Sequence, residues 1–229
     1  MPDHPLTLLA VFAHPDDEAY RPGGTLALLA QRGARVHLLT ATRGQAGSCG
    51  EPLSCSPEEL PAVRERELHC SCAALGIGPP RLLDYQDGHL SEINPEEIVA
   101  QILKVVAEVR PQVLLSFGPD GLSGHPDHIA IGQCATEAFR RAPGIAALYT
   151  VAVPRSLAER LGMTQVRAAP DETITLAVDV TQELGKPRPK LPSTFVASRK
   201  KPDFKLKNGP IGPDDKCVRH LETRFPEVL

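Results

Sequence analysis

For its first two thirds the chain alternates between two textures. Short apolar runs rich in β-formers occupy 6–13 (LTLLAVFA), 35–41 (RVHLLTA), 81–85 (RLLDY), 113–118 (VLLSFG) and 147–153 (ALYTVAV). Segments with helical start and stop signals separate them. "GGTLALLAQRG" (23–33) opens on small residues and stops at Gly33. The stretch 56–76 has a Ser-Pro-Glu-Glu start and a Gly stop. In 94–111, Asn94 is placed to cap, Pro95 suits the first turn, and Ile98, Ile102, Val105 and Val109 recur at helical spacing. Residues 125–142 follow the same logic. Strands and helices alternating over short connections predict an α/β fold, a Rossmann-like, mostly parallel sheet with helices on both faces.

After residue 154 the pattern weakens. "TITLAVDV" (173–180) reads as one more strand. Residues 185–216 are rich in Pro, Lys and Gly and hold no period for long, so they read as irregular. The expected organisation is one α/β domain over 1–184 and a divergent C-terminal segment over 185–229.

Composition adds exclusions. The chain has 229 residues, 41% hydrophobic and 23% charged, within the range of one ordinary globular domain. A formal net charge of −3 provides no basic field for nucleic acid or anionic lipid. Aromatic residues are 4% with no Trp, which argues against a stacking platform for bases. No apolar stretch approaches the roughly 20 residues of a membrane span. The N-terminal run ends in carboxylates and lacks a basic start, unlike a signal peptide. A soluble, cytoplasmic protein is expected, and a homo-oligomer stays open. The six Cys form no C-x-x-C pair, so they read as free thiols in a reducing compartment, with a Cys49–Cys55 loop disulfide left open.

The chemistry lies in two clusters, each directly after an apolar run. "AHPDDE" (13–18) puts His14, Asp16, Asp17 and Glu18 at the end of the first strand, and "GHPDH" (124–128) puts His125, Asp127 and His128 after the strand 113–118. Open α/β sheets gather ligands at the carboxyl ends of their strands. Alone, the first cluster could be acids answering a helix N-terminus, and a lone His125 could be a cap. Together they hold the two histidines and a carboxylate of an open metal site, with Asp16 and a spare histidine left over. The same ligand types suit Zn2+, Fe2+ or another divalent ion. A nucleotide-binding Rossmann site is disfavoured, because three carboxylates stand where phosphate would need glycines and helix N–H groups.

On these motifs the sequence resembles the LmbE-like, or GlcNAc-PI de-N-acetylase, family. "TRGQAG" (42–47), "RERELHCSCAALGI" (64–77) and "YQDGHL" (85–90) are similar to further family segments. The resemblance implies a metal-dependent, usually zinc, hydrolase that removes acetyl from a small N-acetylglucosamine conjugate of the GlcNAc-malate or GlcNAc-inositol type. It implies that His14, Asp17 and His128 bind the metal. Asp16 would be the general base, His125 the acid or electrostatic partner, and Asp127 the residue that orients His125. Arg43, Arg64 and Asp87 would contact substrate. Plainer readings stand beside these: Arg43 paired with an acid at the sheet edge, Arg64 on a solvated "RERE" face, Asp87 in a turn. Two departures weaken the carry-over. Ser123 stands where some relatives have Tyr, and 185–216 replaces a family helix. The rival functions are a thiol-conjugate amidase and a metal- or sugar-binding protein without turnover.

Overall fold

A computed structural model describes residues 5–51 and 53–180, and the backbone of a strand at Thr194–Arg199. Five strands form a parallel sheet: β1 (Thr7–Phe12), β2 (Arg35–Thr42), β3 (Arg81–Tyr85), β4 (Val113–Phe117) and β5 (Ala147–Ala152). They are joined by α1 (Asp17–Tyr20), α2 (Gly23–Gln31), α3 (Leu60–Leu75), α4 (Pro95–Val109) and α5 (Pro126–Arg141), followed by α6 (Arg155–Arg160). β1 is buried along its whole length, as an apolar strand covered on both faces must be.

The strand order is β3-β2-β1-β4-β5, and then β7 (Thr194–Arg199) and β6 (Leu176–Val178). The chain first steps from β1 out to β3 and then returns past β1 to β4 and β5. Parallel crossovers are right-handed, so the reversal places α2 and α3 on one face and α4 and α5 on the other. The contacts agree: α2 packs with α3, and α4 packs with α5. The reversal also leaves a crevice beyond the C-terminal ends of β1 and β4, where backbone connections diverge.

Helix boundaries follow the local signals closely. Asn94 caps α4 by accepting the Glu96 N–H at 3.1 Å. Ser56 and Glu59 form a reciprocal capping box, each accepting the other's backbone N–H. That box closes a turn, and α3 itself starts only at Leu60.

The C-terminal part needs two corrections. The predicted strand 173–180 shrinks to β6, because Asp171–Thr173 form a 3-10 turn that consumes its start. The stretch 185–216, read as irregular, contains β7, which pairs antiparallel with both β5 and β6. Its "TFVASR" run is short, and the surrounding Pro and Lys hide it. The rest of that stretch lies outside the described residues. Cys49 and Cys55 form no disulfide, nor do the other described cysteines. Among the described residues no helix is long and apolar enough to cross a membrane.

Candidate metal centre and active site

The two clusters meet in the crevice. β1 delivers His14 from its end, and β4 delivers the loop that leads into α5. His14 Nδ1 lies 3.2 Å from His128 Nε2, and Asp17 Oδ1 lies 3.3 Å from the same His128 nitrogen. Asp17 is held from behind: its Oδ2 accepts the backbone N–H groups of Ala13 and His14 at 3.1 and 2.9 Å. Burial opposes its charge, yet His128, His14 and these N–H bonds outweigh it and lower its pKa.

The outer nitrogens of both histidines face acceptors. His14 Nε2 lies 2.9 Å from Asp87 Oδ1 and 3.2 Å from Asp127 Oδ2. His128 Nδ1 lies 3.1 Å from the Gly121 carbonyl. These acceptors hold protons on the outer nitrogens, so the inner ones present lone pairs. Two lone pairs and a carboxylate oxygen, converging within 4.8 Å, repel one another unless a cation lies between them. The donor set therefore fits a divalent ion. His14, His125 and Asp127 also cluster, but His125 Nδ1 already accepts the Asp127 N–H at 3.2 Å. In the absence of an ion, a proton answers the same field. Burial works against charge on His14, but Asp127, Asp87 and Asp17 overcome it and raise its pKa to about 10.

Packing fixes the histidine rings. The His128 ring stacks on Phe117, centroids 4.0 Å apart and 6° from parallel, and Phe117 leans edge-on against Phe12. The His125 ring lies 4.9 Å from both the His14 and His128 rings.

Asp16 sits beside this donor set without joining it. Its backbone is left-handed, φ 111° and ψ −28°, a conformation strained for any residue but Gly. Its carbonyl accepts the first bonds of α1, from Ala19 and Tyr20, both at 2.9 Å. Its carboxylate accepts from Arg64 Nη2 at 2.9 Å. Burial and the Asp17 charge push its pKa up to about 6, against the pull of Arg64 and the two histidines. Next to it, Glu18 is 1% exposed. One Glu18 oxygen accepts the Asp16 N–H at 3.0 Å and the other accepts the Ser71 hydroxyl.

The other candidate residues take varied partners. Asp127 meets His125 only through its backbone N–H. Its carboxylate, fully buried, accepts from Gly88 N at 2.7 Å and Leu90 N at 3.0 Å, and faces His14. Asp87 likewise turns inward, between His14 and the Ala46 N–H. Burial would raise its pKa, but His14 outweighs this and holds it down to about 2. Arg64 lies under the site, donating to the Gly44 and Pro15 carbonyls as well as to Asp16. A side chain on Gly44 would start 1.9 Å from that guanidinium, and its φ is +67°, so only Gly lets Arg64 pass. Arg43 pairs with Glu65 and Asp84 at the rim, away from the histidines. Ser123 is exposed, its hydroxyl 3.4 Å from the His125 N–H.

Glu18, Ser71 and Phe117 are site residues that motif reading passes over. Spacing alone holds a trace of Ser71, which lies two helical turns after Arg64 on the same face of α3.

Known proteins resemble the chain across this region. Residues 9–139 match the model of the family described as GlcNAc-PI de-N-acetylase. The 1D-myo-inositol 2-acetamido-2-deoxy-alpha-D-glucopyranoside deacetylase of Kineococcus radiotolerans is 34% identical over 85% of this chain and 62% of its own length. The probable N-acetyl-alpha-D-glucosaminyl L-malate deacetylase 2 of Bacillus cereus is 36% identical over 59% of this chain and 62% of its own. The chain thus spans less than two thirds of either relative. Among solved structures, the N,N'-diacetylchitobiose deacetylase of Pyrococcus horikoshii shares the fold, with a TM-score of 0.59 at 24% identity over 76% of this chain and 64% of that one. The family model covers more than half the chain and both clusters fall inside it: the chain belongs to the GlcNAc-PI de-N-acetylase family.

Proposed function

We propose that the protein is a metal-dependent N-deacetylase that hydrolyses the acetamide of a small N-acetylglucosamine conjugate, of the GlcNAc-inositol or GlcNAc-malate type. The observation that carries this reading is the pair of histidine lone pairs converging on Asp17, with a second, differently tuned carboxylate, Asp16, alongside. His14, Asp17 and His128 would hold the ion, with zinc expected. A divalent ion there supplies Lewis acidity and makes water acidic enough to ionise near neutral pH.

The chain's own groups divide the proton work. Asp16, ionised above its pKa of about 6, takes a proton from the attacking water. Arg64 holds that carboxylate in place and keeps it available as a base. The Asp127 N–H occupies His125 Nδ1, which leaves Nε2 as the protonated nitrogen of the neutral ring. Desolvation, and the positive charge gathered at the adjoining His14–His128 centre, favour that neutral form. His125 Nε2–H therefore donates to the oxyanion of the tetrahedral intermediate. Collapse breaks the C–N bond, and the proton gathered by Asp16 goes to the departing amine, giving acetate and the free amino sugar. Asp87 and Asp127 fix His14 and so act on the ligand set. Arg64 acts on the base. None of these three is read as a sugar contact. The enzyme is taken as cytoplasmic, with a small-molecule substrate.

The test measures acetate release from GlcNAc-inositol and GlcNAc-malate by metal-stripped and zinc-reloaded protein. Turnover restored by the ion supports the reading. Turnover that survives complete stripping, or absence of turnover on both sugars after reloading, overturns it.

A further inference from the structure

Asp16 is held at two points, and both holds come from α3. Arg64, in the first half of the helix, donates to the Asp16 carboxylate. Ser71, two turns on, donates to Glu18, which accepts the Asp16 backbone N–H. One helix thus holds the head of Asp16 directly and its backbone through Glu18. The backbone so held has φ 111°. A non-Gly residue keeps such a conformation only when its surroundings over-determine it. Glu18 is also an expensive group to bury: a carboxylate 1% exposed, whose oxygens accept from a backbone N–H and a hydroxyl. It touches none of His14, Asp17 or His128 through these side-chain hydrogen bonds.

We propose that Glu18 is a positioning residue for the base: with Ser71 it locks the left-handed Asp16 backbone and thereby aims the Asp16 carboxylate at the reacting water. The inference rests on the reading of Asp16 as general base. Without the Glu18 contact the Asp16 peptide relaxes towards an ordinary helix start, and the carboxylate swings off line. A misplacement on the order of 1 Å is enough to cost about 100-fold in rate.

The experiment is a double-mutant cycle on zinc-loaded protein, with kcat, KM, zinc stoichiometry and Tm read for each variant. Glu18→Leu lowers kcat about 100-fold, leaves KM within about threefold and keeps the zinc stoichiometry. Glu18→Gln preserves an acceptor for the Asp16 N–H and restores kcat to within about fivefold of wild type. In an Asp16→Asn background, read from residual acetate release, Glu18→Leu changes kcat by less than about threefold, because there is no base left to aim. Ser71→Ala, which removes only a hydroxyl, follows the same pattern at about tenfold and serves if Glu18→Leu does not fold. Equal losses in both backgrounds overturn the proposal, as does wild-type kcat in Glu18→Leu or a Gln variant as impaired as the Leu one. Undiminished turnover in Asp16→Asn alone removes the base reading and the clamp with it. A severe Asp16→Asn loss with equal Glu18 effects removes the clamp only.

Discussion

The tripeptide His-Pro-Asp occurs twice at the site, at 14–16 and at 125–127, and its two copies are used in opposite ways. In the first, His14 is buried and faces the centre, while Asp16 is a left-handed, partly exposed carboxylate with a raised pKa. In the second, His125 is exposed at the helix cap, and Asp127 is fully buried with a lowered pKa. Only the fourth residue is used alike: Asp17 and His128 both point into the centre, 3.3 Å apart. The difference arises in the backbone downstream of each tripeptide. The second copy runs into the sixteen-residue α5, whose first turn carries Asp127 inward against Gly88 and Leu90. The first meets the four-residue α1, whose N-cap is Asp16 itself. A motif therefore fixes residue types, and the adjoining backbone assigns their roles.

The contrast between the two aspartates is the sharpest place to attack. Asp16→Asn lowers kcat by about 10³-fold with zinc stoichiometry intact, since a general base contributes on the order of 10²–10⁴. Asp127→Asn does the reverse: zinc affinity falls about 10–100-fold, and activity returns when zinc is raised. Titrating zinc into each variant while following acetate release separates the two; an Asp127→Asn protein that binds zinc normally breaks the comparison. The two histidines split in the same way. His125→Ala loses about 10²-fold in kcat at full zinc occupancy, as when one oxyanion donor is removed, whereas His14→Ala loses the ion. Zinc analysis of both variants decides the matter.

Smaller effects refine it. With Asp16 read as the base, its carboxylate must be ionised, so kcat/KM rises with pH along an acidic limb and levels above it; burial and Asp17 push that limb up, and the bound cation pulls it down. Arg64 lowers the Asp16 pKa, so Arg64→Gln moves the acidic limb to higher pH, which a pH–rate profile reads directly. The last effect is on stability. Asp16→Gly relieves the φ 111° backbone and the repulsion from Asp17, and gains about 1 kcal/mol in thermal unfolding while activity is lost.

Much of this architecture is legible in the sequence because burial and function leave different marks. Apolar strands with capped helices between them give the parallel sheet, and acids at strand ends give the crevice. β7 escapes because six residues among Pro and Lys carry little period. The inward turn of Asp87 and Asp127 escapes for another reason. Which carboxylate reaches His14 depends on where the Gly88–Leu90 loop crosses α5, a long-range fact with no local signal. Arg64 is hidden among the charges of "RERE", and only its depth beneath Gly44 separates it from its solvated neighbours. Glu18 reads as one more acid at a helix start, and its burial against Ser71 emerges only once α3 is docked.

His14 and His128 come from opposite ends of a long stretch of chain, yet each follows one of two strands that are neighbours in the sheet. An ion that needs both has nothing to grip in the unfolded polypeptide, so its affinity counts directly as resistance to melting. At a free concentration a hundred times its dissociation constant it adds about 2.7 kcal/mol. A melting curve recorded against rising zinc thus becomes a calorimeter for the assembled crevice, one that requires neither substrate nor turnover.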